Sequence, residues 1–246
     1  MNTAFLMTTF AGLSTLIGTI FIFVKVKNEN NILIASLSFA AGVMLTVSFS
    51  DLLPESFLSL KEVFYGFPAL LIMLIFYVVG ILISMFIDKK MPDENNNHLK
   101  RVGLISMLAI ILHNIPEGIA TYLTSTNDMR LGIALTSAIA LHNIPEGISI
   151  SVPIYYATRS RFKAFGYTLI SGLSEPLGAI LAALFLSPFI TPGIMGILYA
   201  IIAGIMTHIS VYELLPTSLN YQNTKKTLCF FLIGIAFMLG SHILFS

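Results

Sequence analysis

The chain has 246 residues, of which 56% are hydrophobic and only 10% are charged. Soluble domains usually carry about 25% charged residues, so this composition excludes an ordinary soluble protein and predicts an all-α protein that crosses the lipid bilayer several times. The formal net charge of +1, without any basic cluster, predicts no nucleic-acid partner.

Eight apolar runs are long enough to cross a bilayer as helices, which takes about 20 residues each. The connections between them are short and polar, so residues 1–246 are predicted to form a single transmembrane domain. The predicted helices are Thr3–Val24, Asn31–Leu53, Pro68–Ile87, Gly103–Leu123, Leu131–Val152, Phe165–Leu186, Gly193–Leu215 and Leu228–Phe245.

Basic residues concentrate in alternate loops between these helices. Of the 13 Lys and Arg residues, all except Lys61 and Arg130 lie in the odd-numbered loops. Those residues are Lys25, Lys27, Lys89, Lys90, Lys100, Arg101, Arg159, Arg161, Lys163, Lys225 and Lys226. Because Lys and Arg accumulate in cytoplasmic loops, we predict that the odd loops are cytoplasmic and both termini are extracytoplasmic.

One hexapeptide, His-Asn-Ile-Pro-Glu-Gly, occurs twice, at residues 113–118 and 142–147, each time inside a predicted membrane helix. Residues four apart share a helix face, so the His and Glu of each copy point the same way, with the Asn beside them. Ionisable side chains cost free energy in a membrane segment and indicate a functional site. The fourth and fifth helices are consecutive and antiparallel, so the two copies are predicted to face each other.

The two copies together supply two imidazoles and two carboxylates, from His113, Glu117, His142 and Glu146. This donor set suits a divalent transition metal such as Zn²⁺, with Fe²⁺, Mn²⁺, Co²⁺ or Cd²⁺ as competitors. Mg²⁺ or Ca²⁺ would instead be expected among oxygen ligands alone. A single buried His with a carboxylate is more often a satisfied polar pair than a ligand pair, but the duplication favours metal binding.

Three further polar residues indicate room for a second ion. Asn114 and Asn143 project a few tens of degrees away around their helices and could share Glu117 and Glu146 with that ion. Glu175, in the sixth predicted helix, is another carboxylate followed by proline inside an apolar run. Three buried carboxylates would repel each other, and one or two divalent ions would offset their charge.

A second, weaker repeat involves the ends of the second and seventh predicted helices. Ser-Asp-Leu-Leu-Pro-Glu-Ser at 50–56 resembles Tyr-Glu-Leu-Leu-Pro-Thr-Ser at 212–218, and these helices also run in opposite directions. The pattern predicts an inverted repeat, with helices one to three mirrored by six to eight around the central fourth and fifth. Inverted repeats are common in transporters, which bind substrate near the bilayer midplane at the repeat interface.

Five more residues are candidates for a cation pathway. Asp51 and Glu55 at the outer end of the second helix would attract cations to an entrance, although an interfacial pair is an equal alternative. Glu213, near the inner end of the seventh helix, would serve an exit, and His208 lies five residues earlier on a slightly different face. The thioether of Met44 would suit a soft metal, although methionine in a membrane helix more often serves packing.

The paired motifs, the eight predicted helices and the outward termini resemble the ZIP metal-ion transporters, within the GufA-like branch that contains bacterial zinc transporters. The resemblance covers nearly the whole chain. It implies a single transporter domain in the plasma membrane, a homodimer, and uptake of Zn²⁺, often with Fe²⁺, Mn²⁺, Co²⁺ or Cd²⁺, into the cytoplasm. It also implies a binuclear site at mid-membrane. One ion would have the ligands His113, Glu117, His142 and Glu146, and a second the ligands Asn114, Asn143 and Glu175, with Glu117 and Glu146 bridging.

The order of the candidate ligands argues against known metalloenzyme classes, and the short loops argue against a receptor. A zincin protease uses His-Glu-x-x-His and a diiron carboxylate enzyme uses Glu-x-x-His pairs, whereas the order here is His-x-x-x-Glu. An intramembrane metal-dependent enzyme therefore stays only as the alternative, and a metal-sensing receptor lacks a signalling domain in these short loops. A channel-like metal pathway remains a further alternative to a carrier that works by alternating access.

Overall fold

A computed structural model describes residues 2–24, 27–91 and 97–245, and these residues contain helices and loops without a β-strand. They form eight helical segments that follow the predicted apolar runs and mostly extend beyond them. The segments are α1 (Asn2–Ser14, continued by a 3-10 helix Thr15–Phe23), α2 (Glu29–Val47, a π segment Ser48–Leu52, and Leu53–Lys61), α3 (Phe67–Lys90), α4 (His98–Asn127), α5 (Met129–Thr158), α6 (Arg161–Gly172, Ser174–Leu181 and a π segment Ala182–Leu186), α7 (Pro192–His208, a π segment Ile209–Leu214, and Leu215–Leu219) and α8 (Thr224–Phe245). Lys25, which entered the topology prediction, and residues 92–96 of the third loop lie outside the described residues.

Polar residues in the short connections start the helices. Their side-chain oxygens accept hydrogen bonds from backbone N–H groups of the first turn, which otherwise lack partners. The capping residues are Asn28, Asn97, Asp128, Ser160 and Thr191. Asp128 alone separates α4 from α5 and accepts from Arg130 N at 2.8 Å. This tight turn makes α4 and α5 an antiparallel hairpin, as the sequence predicts.

Within the described residues, seven helices are long and apolar enough to cross a membrane, judged by length and composition. The exception is α5, which spans 30 residues but is less apolar than α4 before the shared hexapeptide, where it has Thr136, Ser137 and Ala140. The protein is therefore a polytopic membrane protein. Burial separates the helices further, because only 17% of the most apolar window of α3 and 22% of that of α8 are buried, against 78% for α2 and 67% for α4. The α3 and α8 helices form the periphery, and α2 and α4 lie in the interior.

The helices pack as two groups. In the first, α4 and α5 pack against each other and against both α1 and α6. In the second, α2 packs along α8, α3 packs along α7, and α2 contacts α7. The seam between the groups is formed mainly by α2 against α5 and by α4 against α7. The two hexapeptides therefore lie inside one group, on the hairpin that faces this seam.

Two helices widen at corresponding places. The π segments Ser48–Leu52 of α2 and Ile209–Leu214 of α7 each end shortly before a proline, Pro54 and Pro216. Proline removes a backbone N–H from the helical ladder, so the preceding turn must rearrange its hydrogen bonds. Segments of π-helix are rare in proteins, and those that occur are often found at functional sites. The structure therefore also makes Asp51 and Glu213, the acidic residues inside these two segments, candidates for function.

Candidate metal site

Three side chains from the two hexapeptides converge at the middle of the α4–α5 hairpin. His113, Glu117 and His142 are all buried, and each offers a ligand atom such that these atoms lie within 4.8 Å of one another. The Glu117 Oε1 atom lies 3.2 Å from His113 Nε2 and 3.0 Å from His142 Nε2. Glu146 joins the cluster through its Oε1 atom, 3.4 Å from His113 Nε2. The structure thus brings together the four residues predicted for the first site.

The spacing of these atoms fits ligands of one small cation. Two ligands each about 2.0–2.2 Å from a tetrahedral Zn²⁺ lie roughly 3.3–3.6 Å apart. Of the nitrogen–oxygen separations, 3.4 Å lies within this range, and 3.2 and 3.0 Å are slightly shorter. The imidazole rings of His113 and His142 are 6.2 Å apart between centroids, so each can present its Nε2 to the same point from opposite helices.

The two asparagines of the repeats are anchored by their amide nitrogens. Asn114 Nδ2 donates to the carbonyl of Ser171 on α6 at 3.3 Å, and Asn143 Nδ2 donates to the carbonyl of Ala11 on α1 at 2.9 Å. Both Oδ1 atoms are buried and make no hydrogen bond to any described residue. A buried oxygen held in this way is costly unless it meets a partner, and a cation is one such partner.

Glu175 is brought to the hairpin by close helix packing. Its side chain is fully buried, and its Oε2 atom accepts a hydrogen bond of 2.9 Å from Asn143 Nδ2. Gly118 lies against the backbone carbonyl of Glu175, where a Cβ would overlap that oxygen. The absence of a side chain at Gly118 therefore lets α6 approach α4 closely enough to place the carboxylate beside the amides.

Several carboxylate oxygens in this region are buried without a hydrogen bond to the described residues: Glu117 Oε2, both oxygens of Glu146, and Glu175 Oε1. Removing a carboxylate from water costs several kcal/mol unless a charge or donors compensate. Two imidazoles and one amide donor do not satisfy three carboxylates, so the donor set is chemically suited to hold divalent cations.

A cavity of about 440 Å³ runs from the cluster to one end of the helices. Glu117 and His142 line its inner part, and Asp51 and Glu55 of α2 line its outer part. No Lys or Arg occurs among the described residues that line it. A cleft lined by carboxylates without nearby Lys or Arg has a negative electrostatic potential, which raises the local concentration of positive ions. The cavity is therefore suited to attract cations toward the cluster.

The remaining pathway candidates lie away from this cavity. Met44 is fully buried in the main apolar core. His208 is buried between α7 and α3, where its Nδ1 lies 2.9 Å from Ser84 Oγ and its ring stacks on Tyr212 with 5.0 Å between centroids. Glu213 is buried at the opposite end from the cavity, 3.7 Å from a guanidinium nitrogen of Arg101.

Two structural participants were missed by sequence reasoning. Tyr199 of α7 lines the cavity between the entrance and the cluster. Arg101 contacts both Asp88 and Glu213, although the sequence suggested only a loop charge. The sequence of an apolar run does not show which neighbour a tyrosine on it faces, and an arginine near a helix end is ordinarily solvated. Both roles therefore depend on how the helices pack and could not be predicted from the sequence.

Comparison with known proteins decides the family. A sequence model described as the ZIP zinc transporter matches residues 98–242, more than half of the chain. The chain belongs to the ZIP family of transporters. This ZIP-family chain is 41% identical over 272 residues to the zinc transporter ZupT of Campylobacter jejuni, covering 96% of the chain and 94% of that protein. It is similarly related to proteins of the same name from Oceanobacillus iheyensis (41% over 265 residues, 100% and 99% coverage) and Streptococcus mutans (39% over 257 residues, 99% and 97% coverage).

Proposed function

We propose that this chain takes up divalent transition-metal cations, chiefly zinc, across the plasma membrane into the cytoplasm, and that it works as a carrier rather than as an enzyme. The observation that carries the proposal is the cavity that joins entrance carboxylates to a buried His–Glu cluster of metal-ligand spacing. The names of its relatives support zinc as the cargo. Fe²⁺, Mn²⁺, Co²⁺ and Cd²⁺ suit the same nitrogen and carboxylate donors.

We propose further that the site is binuclear. The first ion would be held by His113, Glu117, His142 and Glu146. The second would be held by the anchored amide oxygens of Asn114 and Asn143 and by Glu175, with Glu117 and Glu146 shared between the ions. The support is the set of buried oxygens described above, which converge from α4, α5 and α6 without partners among the described residues.

An architecture of eight membrane helices in an inverted repeat agrees with the packing. The inverted repeat would exchange α1 with α6, α2 with α7, α3 with α8 and α4 with α5. The contacts between α2 and α8 then correspond to the contacts between α7 and α3. Likewise, the contacts of α1 with α5 correspond to those of α6 with α4. The exchange requires α5 to span the membrane beside α4, which its length of 30 residues allows.

Individual contacts obey the same exchange. Asn114 donates to the carbonyl of Ser171, and its counterpart Asn143 donates to the carbonyl of Ala11. Gly118 meets the carbonyl of Glu175, and its counterpart Gly147 meets the carbonyl of Thr15. Ala11 and Ser171 are separated in sequence by the same number of residues as Thr15 and Glu175. A pseudo-two-fold axis in the membrane plane accounts for all of these pairs.

The repeat equips the protein for alternating access. In the described structure the cavity reaches the cluster from the Asp51 end, which the distribution of basic residues predicts to be outside the cell. A divalent cation that moves inward across ~100 mV gains about 4.6 kcal/mol, from about 2.3 kcal/mol per charge. The membrane potential therefore suffices to drive uptake without a second ion.

The homodimer stays a prediction from the family resemblance.

Uptake of ⁶⁵Zn into proteoliposomes that contain the purified chain tests the function, with protein-free liposomes as the control. We expect saturable uptake that an inside-negative potential accelerates and that Fe²⁺, Mn²⁺, Co²⁺ and Cd²⁺ reduce by competition. Saturation without unitary current steps distinguishes a carrier from a channel-like pathway. Turnover of a lipid or peptide with retained metal, and no zinc flux, would instead indicate the enzyme.

Loss of the entrance charge at Glu55 should weaken capture of zinc. For Glu55→Gln we expect the KM for zinc uptake to rise about three- to tenfold at low ionic strength, because cleft carboxylates raise the local cation concentration. The effect should shrink at high salt, because the Debye length falls to about 3 Å at 1 M. Glu62→Gln is the matched control, since Glu62 is exposed just after the end of α2 and is not among the residues that line the cavity. A KM unchanged at both salt concentrations would show that Glu55 is a solvated surface residue.

The second ion can be tested through the amide of Asn143, which ties Glu175 to the carbonyl of Ala11. Asn143→Ala removes a proposed ligand of the second ion and the amide that donates to Glu175. It should lower zinc affinity at the second position by at least about 10–100-fold, the range for loss of groups that only hold metal ligands in place. Metal analysis after dialysis should then change from two zinc ions per chain to one. Asn220→Ala, at an exposed position, should retain both ions. One ion in the unmodified protein would contradict the binuclear site.

A further inference from the structure

The two ends of this pseudo-symmetric protein differ. At one end the cavity of about 440 Å³ is open between the two helix groups. At the other end, Arg101 of α4 reaches across the seam to the second group. Its guanidinium contacts the Asp88 carboxylate, donates to the Asp88 carbonyl at 3.0 Å, and lies 3.7 Å from Glu213 Oε1. A void of about 10 Å³ between α3, α4 and α7 is lined by Ser84, Ile105 and Ile209, each one helical turn from one of these residues.

Two of these three residues, Arg101 and Glu213, have counterparts at the open end. Arg101 and Arg130 are separated in sequence by the same number of residues as His113 and His142. Glu213 corresponds to Asp51, since each precedes the shared Leu-Leu-Pro sequence and lies in the π segment of its helix. In this structure Asp51 lines the open cavity and accepts a hydrogen bond from Ser50, while Arg130 is exposed at the start of α5.

We propose that Arg101 and Arg130 are positioning residues that close the two ends of the pathway in turn. Arg101 on Asp88 and Glu213 holds the inner end shut while the cavity is open. When the groups shift, Arg101 leaves these carboxylates and Arg130 pairs with Asp51 at the outer end. This inference rests on the proposed alternating access and on the inverted repeat, which predicts that the opposite state exchanges the contacts of the two halves.

The arrangement suits this role because each pair joins one helix group to the other. Arg101 and Arg130 belong to the hairpin that carries the metal ligands, and their carboxylate partners belong to α2, α3 and α7. The Glu213 side chain is only 5% exposed and that of Arg101 is 17% exposed, so their pairing is shielded from water and salt. Exchange of interface ion pairs between states is a general device of conformational transitions.

Accessibility of two matched positions reports which end is open. Ala138 of α5 lines the cavity, and its counterpart Ala109 of α4 lines the small void at the closed end. In a Cys229→Ser background, which removes the single cysteine, Ala138→Cys or Ala109→Cys is introduced. The protein is placed in lipid nanodiscs, where a membrane-impermeant maleimide reaches both faces, and the two labelling rates are compared.

Arg101→Gln should raise the ratio of Ala109→Cys to Ala138→Cys labelling about tenfold, equivalent to about 1.4 kcal/mol between the states. Arg130→Gln should lower this ratio, because it destabilises the opposite state. An unchanged ratio in Arg101→Gln, or a parallel increase of both rates, would overturn the role of Arg101. An unchanged ratio in Arg130→Gln would overturn the exchange with Asp51.

Two further variants separate this effect from damage to the fold. The charge reversal Arg101→Glu combined with Glu213→Arg should restore the original ratio, whereas Arg101→Glu alone should raise it. Lys163→Gln removes an exposed positive charge from α6 and should leave the ratio unchanged. Zinc uptake is measured in parallel: its absence in the unmodified protein contradicts the transport function, whereas normal uptake with an unresponsive ratio contradicts only the ion-pair exchange.

Discussion

Glu117→Ala should reduce zinc uptake in proteoliposomes by at least about 100-fold, since the loss of groups that merely support metal ligands already costs about 10–100-fold. Among the described residues, Glu117 is the one carboxylate within 3.2 Å of the Nε2 atoms of both His113 and His142, so its loss would remove the ligand that connects α4 to α5 through the proposed metal. In the proposed binuclear site it also bridges the two ions, so a single substitution should impair both.

The elution profile and the bound zinc of the variant distinguish a lost ligand from a misfolded protein. Glu117→Ala should elute as a single species of unchanged size and should lose zinc binding in metal analysis, whereas Glu62→Gln should retain both binding and uptake. Glu146→Ala should give a similar defect, because Glu146 completes the cluster beside His113. Transport at the unmodified rate in both alanine variants would show that the cluster is a structural polar pair and would remove the basis of the proposed function.

Gly147→Ala should destabilise the protein by about 3 kcal/mol, the upper part of the usual range for overpacking. A Cβ at Gly147 would overlap the backbone carbonyl of Thr15, and a backbone atom cannot yield as a flexible side chain does. For a chain of this size, such a loss lowers Tm by roughly 6–12 °C. Zinc uptake should fall as well, because a displaced α1 carries away the Ala11 carbonyl that orients Asn143.

Gly166→Ala provides the matched comparison for this prediction. Gly166 is also a glycine within a helix, but a Cβ there meets no atom within 4 Å. Alanine favours a helix by up to about 1 kcal/mol over glycine, so this variant should be as stable as the parent or slightly more stable. Thermal unfolding in detergent, followed by loss of the monodisperse peak, measures both variants. Equal Tm values for Gly147→Ala and Gly166→Ala would show that α1 and α5 are not in close contact at this point.

Much of the fold followed from composition because a bilayer restricts the choices. Backbone groups in lipid must bond within their own helix, so apolar runs of sufficient length already predict membrane helices. The helix ends were less accurate: α2 continues to Lys61 and α4 starts at His98, since polar residues extend helices beyond the apolar core. The run that became α5 shows the opposite limit. Its hexapeptide follows Thr136, Ser137 and Ala140, whereas the same hexapeptide in α4 follows Met107, Leu108 and Ile111, so α5 is less apolar although it is equally continuous.

The sequence alone predicted the set of candidate ligands, because a repeated His-x-x-x-Glu on adjacent antiparallel helices allows the four side chains to meet. Tertiary structure alone decided how the other residues divide between cavity, core and closed end. The sequence makes Asp51, Met44 and Glu213 all candidates for the cation pathway. In the structure Asp51 lines the cavity, Met44 is buried in the apolar core and Glu213 lies close to Arg101. The physical reason is that helix periodicity fixes which residues share a face, whereas the partner of that face depends on packing between helices distant in sequence.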